Sequence, residues 1–415
     1  MIQILANWIL SFDVLSGLGQ SVAWGLSLFI VAALIFAFVA VNAIVLVYIE
    51  RKVSAFMQVR LGPMRVGKFG TLQTVADALK LLQKEDIIPR MADKVLFVIG
   101  PWVILVASVV TFAAIPFSDT LLAANMNIGL FYVVSISSIV VLGIVMAGWA
   151  SNNKWSLYGA MRSAAQIISY EIPVGITLVA VVAVVGSLNL QTIIEAQAGT
   201  GNLFHWIPLP LPNWFIFHSP FLFMAAFVYL IGATAEINRT PFDIPESESE
   251  LVAGFMTEFS GLRWALFFLS EYANATLVAF LVSIIFLGGW QSPFADYSEA
   301  QIGFSIITIL AAMWTFFVRF KTQRLSIYPV GLSLLITICL WLFPGFAIWL
   351  ASPGIFWMLT KVASIIFLLM WFRWTFPRLR VDQLMYVSWK VILPLSLINL
   401  MGVAVWMWLT GEIQF

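Results

Sequence analysis

Acidic side chains are expensive inside an apolar run, and this chain puts several there. Glu171 lies beside Pro173 in the run 164–187, seven residues inside its end. Glu271 lies eight residues into the run 263–289, and Glu236 closes the run that starts at 219. An ionisable group at bilayer depth costs at least about 2.5–3.5 kcal/mol on insertion scales, so each is a candidate functional group. Between the last two, residues 241–250 read PFDIPESESE, with Asp243, Glu246, Glu248 and Glu250, and Glu258 follows. Asp77 stands in an earlier amphipathic stretch (Leu72, Val75, Ala76, Leu79, Leu82), the pattern of a helix lying along a membrane surface. A lone carboxylate near a helix end is as readily a snorkelling or helix-terminus residue. Four within eight residues, followed by Glu258 and Glu271, form a coupled set that titrates together. A file of such carboxyls with water between them relays protons.

Other chemistries lack their residues. The one cysteine, Cys339, sits in an apolar run, and the two histidines, His205 and His218, are thirteen apart in a Pro-rich loop. Haem, iron–sulfur and zinc sites need several such ligands, so the chain is expected to bind no redox cofactor or metal of its own. Gly62 to Lys68 reads GPMRVGK, the spacing of a phosphate-binding loop, but Phe69 follows where a hydroxyl is needed and no strand precedes it. Asn238-Arg-Thr240 and Asn274-Ala-Thr276 fit the glycosylation sequon, but the first falls on the inner side and the second inside a span.

The elements that must position these acids follow from composition. Of 415 residues, 62% are hydrophobic and 10% charged, with net charge +1. Soluble domains run at about 45–50% apolar and about 25% charged, so a soluble domain, a disordered chain and a nucleic-acid binder are excluded. Runs of spanning length occur at 22–48, 95–117, 128–149, 164–187, 219–236, 263–289, 301–318, 327–350, 354–376 and 390–409. The expected fold is all-α: a polytopic helical membrane protein of about ten transmembrane helices. Nine of the 21 Lys and Arg residues fall in 49–94. Three more are Arg319, Lys321 and Arg324, and four fall between Arg373 and Lys390. Lys154, Arg162, Arg239 and Arg263 belong to the loops 150–163 and 237–262 or their edges, and only Lys361 falls in the outer part of a span. The alternate loops carry acids and no base. By the positive-inside rule the basic loops face the cytoplasm and both termini face outward. The first basic residue is Arg51, so the N-terminus reads as mature, without a cleaved signal peptide. Loop 188–218 reads as an interfacial helix around 192–198 followed by a rigid turn at Pro208, Pro210 and Pro212.

Four blocks carry a family pattern. They are ERKVSAFMQVRLGPMRVGKFGTLQTVADALKLLQKED (50–86), GWASNNKWSLYGAMRSAAQIISYEIP (148–173), AEINRTPFDIPESESELVAGFMTEFSGLRWALFFLSEYAN (235–274) and WFRWTFPRLRVDQLMYVSWKVILPL (371–395). In these the chain resembles the H-subunit family of bacterial respiratory complex I, the proton-pumping NADH:quinone oxidoreductase. The mitochondrially encoded first subunit of that enzyme belongs to the same family. The resemblance implies a multi-pass subunit of the bacterial inner (cytoplasmic) membrane that forms much of the quinone chamber. Its expected partners are peripheral-arm quinone-site subunits, small membrane subunits, quinone and membrane lipids, with no nucleic acid. FMN and iron–sulfur clusters are expected on partner subunits, with quinone as substrate.

Residue by residue, the resemblance puts Glu50 and Arg51 at the quinone tail or portal, and Arg162, Arg239 and Asp243 around the chamber. It puts Asp77, Glu171, Glu236, Glu246, Glu248, Glu250, Glu258 and Glu271 in the acidic channel that couples quinone reduction to proton movement. Arg378, Arg380 and Asp382 match the charged run before the last helix. The sequence departs from the family pattern at Met64, Lys68, Thr74 and Pro245, which touch loop backbone and not the charged set. A larger departure is 291–353, which reads as an inserted transmembrane hairpin between a core at 1–290 and two last helices at 354–415. Other readings are the equivalent subunit of a membrane-bound hydrogenase or a ferredoxin-fed quinone reductase, a free-standing ion transporter, and a passive anchor. A transporter would carry its polar residues near the bilayer midplane, whereas these crowd to the inner side. A passive anchor leaves Glu171 and Glu271 without a use.

Overall fold

The computed structural model describes residues 20–204, 206–244, 252–294, 310 and 352–411. Glu246, Glu248 and Glu250, the expected spans 301–318 (residue 310 apart) and 327–350, and both termini lie outside the described residues.

Among the described residues seven helices are long and apolar enough to cross a membrane, and an eighth apolar helix has 17 residues. At 1.5 Å per residue that eighth helix reaches about 26 Å, close to the bilayer core. The helices are α1 (Gln20–Met57), the surface helix α2 (Gln73–Gln83), α3 (Lys94–Val110), α4 (Gly129–Ser137), α5 (Ile139–Ala150) and α6 (Lys154–Val185). After the short α7 (Leu190–Glu195) come strands β1 (Thr200–Leu203) and β2 (Ile207–Pro212) and the single turn α8 (Phe215–His218). Then follow α9 (Pro220–Glu236), α10 (Gly261–Phe286), α11 (Ile355–Thr375), α12 (Val381–Tyr386) and α13 (Leu393–Thr410). α4 with α5, and α12 through a π turn at Val387–Ile392 with α13, each make one span.

Local chemistry sets the ends. Asp93 accepts from the backbone N–H groups of Val95 and Leu96 at the start of α3. Asn153 caps α6 through Trp155 N–H, and Ser219 caps α9 ahead of Pro220 through Leu222 N–H. α6 therefore starts ten residues before the expected span at 164, so most of the loop expected at 150–163 is helix. Pro173 has no N–H to give the carbonyl of Ser169, and the Ser388 hydroxyl donates to that carbonyl instead at 2.7 Å. This ties the π turn to the middle of α6.

Small residues let the backbones close up. A Cβ on Gly143 of α5 would stand 2.4 Å from Ile104 Cγ1 and 3.2 Å from Gly100 O, both on α3. α10 is the most enclosed span and packs on α3, α11 and α1. Phe280 on it meets Phe38, Phe112 and Phe117 edge-on.

The loop 188–218 differs from its expectation. Its helix covers 190–195, and Leu190, Ile193 and Ile194 are buried in the main core, so it is not an interfacial helix. The Pro-rich stretch is the antiparallel partner of Thr200–Leu203, pairing Thr200 with Pro212 and Asn202 with Pro210. Proline cannot donate to a ladder, which suits β2 to a two-stranded ribbon. Gln197 holds this end together: its Nε2 donates to Ile193 O and Ile284 O, and its Oε1 accepts from Phe215 N and Gly288 N. Lys361 is buried here. Its ammonium donates to the carbonyls of Leu287, Gly289 and Gln291, where the C-terminus of α10 favours a cation.

Candidate functional site

The charged residues gather at the other end of the bundle. Neighbours on a helix point about 100° apart, so the adjacent Glu50 and Arg51 near the end of α1 face different surroundings. Glu50 turns inward and is 4% exposed. Its Oε2 accepts from Arg239 Nη1 at 2.9 Å and from the Tyr272 hydroxyl at 2.7 Å, and its Oε1 pairs with Arg373 Nη1. Arg239 Nε lies 2.9 Å from Glu271 Oε1, and the guanidinium sits 4.5 Å from the Tyr272 ring centre. One buried guanidinium thus joins two carboxylates from two helices. Burial works against its charge, but Glu271 and Glu50 outweigh this and hold Arg239 above its ordinary pKa. Asp243 pairs with Arg378 at 2.9 Å. Its pKa is raised, first by burial and further by Glu271, against the pull of Arg378.

Arg51 turns outward to Asp77 on α2 at 2.5 Å, and Gln73 donates to the other Asp77 oxygen at 3.0 Å. Burial raises the Asp77 pKa, but the bonds from Arg51 and Gln73 win and hold it below its ordinary value. Arg51 and Asp77 help line a mostly apolar cleft of about 410 Å³. Its walls are Ala43, Ile44 and Val47 of α1, Leu81 of α2, and Trp264 and Phe268 of α10.

Two small cavities lead inward from the Arg239 network. One, of about 40 Å³, is bounded by Glu271, Ser270, Asn274, Asn238 and Glu236. The next, of about 60 Å³, is bounded by Glu236, Asn274, Tyr229, Glu171 and Ser138. Glu236 Oε1 is buried without a hydrogen-bond partner among the described residues. The Ser138 hydroxyl, at the break between α4 and α5, donates to Glu171 Oε1. The three acids of the apolar runs therefore lie along one path: Glu271, Glu236, Glu171.

The remaining expected residues lie apart from this path. Glu258 accepts from Asn153 Nδ2 at 2.6 Å, beside an open cleft of about 940 Å³. Arg162 sits on α6, partly exposed; Arg380 and Asp382 are exposed at the start of α12. Asp77 lines the apolar cleft and neither small cavity, and Glu50 is bonded within the buried network and does not line the cleft. Arg373, Tyr272 and Ser138 join the site, and the sequence does not single them out for it. Tyr272 follows Glu271 directly, and Arg373 reads from the sequence only as an orientation signal.

Bundle and charged end together define a polytopic membrane protein with an apolar cleft beside a buried ionic network. A family model described as NADH dehydrogenase matches residues 30–404. A protein of Chlorobaculum parvum, named as the H subunit of NADH-quinone oxidoreductase, is 46% identical over 396 residues, covering 95% of this chain and 96% of that one. Proteins of the same name from Bacteroides thetaiotaomicron and Geobacillus kaustophilus are 40% and 43% identical; the alignments cover 97% and 86% of this chain and 96% and 86% of theirs. The chain belongs to the NADH dehydrogenase family.

Proposed function

We propose that this chain is the membrane subunit of a proton-pumping NADH:quinone oxidoreductase of a bacterial inner membrane. In this reading it forms much of the quinone chamber and begins the acidic path that couples quinone reduction to proton movement. The names of the relatives support the enzyme. The observation that carries the site is the apolar cleft between α1, α2 and α10, which abuts the same helices that supply Glu50, Glu271 and Tyr272.

The cleft suits an isoprenoid tail: it lies between helices, its lining is mostly apolar, and its charged lining residues are Arg51, Asp77, Lys80 and Lys84. FMN and iron–sulfur clusters, expected on partner subunits, would supply the electrons. Reduction of a quinone consumes two electrons and two protons, so the charge near the headgroup changes in each cycle. Arg239 is shared by Glu50 and Glu271, and a change of charge beside it alters how strongly it holds each. A shift of one pKa unit is about 1.36 kcal/mol, so several coupled groups store useful work. From Glu271 a proton passes to Glu236 and then to Glu171 through the two cavities. A water occupies about 30 Å³ of liquid, so together they have room for a few.

The surface at this end suits docking of the peripheral arm. Phe56, Val59 and Leu61 are 81%, 94% and 84% exposed beside Arg60, an apolar and cationic patch unlike a lipid-facing helix side.

The test is Arg51→Ala. NADH oxidation with a long-tailed quinone is expected to fall about tenfold, a loss of about 1.4 kcal/mol in transition-state stabilisation. Oxidation with an artificial acceptor at the peripheral arm is expected to stay intact. Undiminished quinone activity would count against the cleft as the portal.

A further inference from the structure

Asn274 is not one of the relay's acids, yet it borders both cavities. It lies three residues after Glu271 on α10, hence on the same helix face and one turn further from the charged end. It and Glu236 line the 40 Å³ cavity with Glu271 and the 60 Å³ cavity with Glu171. Three residues bordering these spaces have a buried acceptor atom without a hydrogen-bond partner among the described residues: Asn274 Oδ1, Glu236 Oε1 and Asn238 Oδ1. Of the three, Asn274 and Glu236 line both cavities, and Asn238 only the smaller. Buried polar atoms are satisfied by protein or by water in the great majority of cases, and a small polar cavity between them is where such a water sits.

We propose that Asn274 is a positioning residue that anchors a water between Glu271 and Glu236 and so makes the junction of the two cavities conductive. This rests on the acid path of the proposed function. A carboxamide is suited to the task because it both donates and accepts, and because it does not titrate and so holds a water without trapping the proton. In the transfer, the Glu271 carboxyl gives its proton to the water oxygen as the water gives one of its own to the Glu236 carboxylate. Glu271 is left ionised, Glu236 neutral, and the water and the amide are unchanged. An apolar side chain of the same size leaves the carboxyls where they are and removes the anchor.

The experiment compares Asn274→Leu, Asn274→Ser and Glu236→Gln in the intact complex, with assembly checked by artificial-acceptor NADH oxidation. For Asn274→Leu, quinone reductase turnover is expected to fall about tenfold or more, as for loss of a positioned proton-transfer group. Its slowing in D2O should exceed that of the wild type, because proton transfer becomes limiting. The Ser variant keeps a hydroxyl and should stay close to wild type on both measures. A mere packing defect lowers the amount of active complex and leaves the isotope ratio unmoved, and that result overturns the proposal. So does wild-type turnover in Asn274→Leu. If Glu236→Gln is impaired while Asn274→Leu is not, the anchor fails and the acid path stands. If neither is impaired, the path fails with it. Should the Leu variant not assemble, the smaller Asn274→Val carries the same expectations.

Discussion

Asp243 illustrates how a single carboxyl is set by its surroundings. Burial disfavours its charge, Glu271 repels it, and Arg378 at 2.9 Å only partly compensates, so its folded pKa lies above the ordinary 3.8. The sign follows. A carboxyl whose folded pKa is raised contributes stability below its unfolded pKa and loses it as pH rises through the folded value. Asn at this position stays neutral throughout. The melting temperature of wild type relative to Asp243→Asn is therefore expected to fall as pH is raised from about 4 to 7. A difference that does not change with pH, or that changes the other way, would show that Arg378 outweighs burial. The acidic types along this path were legible in the sequence, because a carboxylate in an apolar run stands out. Their partners were not. Glu50 is bonded to residues 189, 222 and 323 positions away, and such pairings are set by helix packing, not by any local pattern. Asn274 shows the same limit: its sequon says nothing, and its position between two cavities says a great deal.

At the scale of elements, helix positions could be read to within a few residues, but their ends could not. Hydropathy stops at the first polar residues, whereas α1 runs on through Glu50 and Arg51 to Met57, and α6 begins at its Asn153 cap. This carries functional side chains onto rigid helix rather than loop. The break at Ser138 was hidden too, because the run 128–149 is uniformly apolar apart from its serines. The close contact of α3 with α5, the helix that starts after Ser138, depends on Gly143. Gly143→Ala is expected to destabilise the assembled subunit by about 1–3 kcal/mol, as overpacking does. Gly175→Ala on α6 is the control, since a Cβ there has nothing within 4 Å and Ala is the better helix former by about 1 kcal/mol. Thermal melting of the purified complex distinguishes them; equal melting temperatures would contradict the close packing.

Over the whole molecule, the two ends do different work. One end is closed by uncharged or singly charged devices: Gln197 with four bonds, Lys361 on three carbonyls, and a short Pro-rich ribbon. The opposite end concentrates ion pairs, the apolar cleft and the exposed patch around Val59. That asymmetry was legible from the distribution of Lys and Arg alone, and the order of the motif blocks made the family legible as well. The cleft was not, since it exists only where α1, α2 and α10 converge from three distant stretches of chain.

The central claim is that this cleft admits a quinone next to the Arg239 network. It is tested most directly by photolabelling the intact complex with an azido-quinone bearing a long tail, followed by mapping of the labelled peptides. The label is expected on the cleft faces of α1 (40–51), α2 (74–84) and α10 (264–269), and excess unmodified quinone should suppress it. Label that avoids all three stretches, or that excess quinone does not displace, would contradict the account.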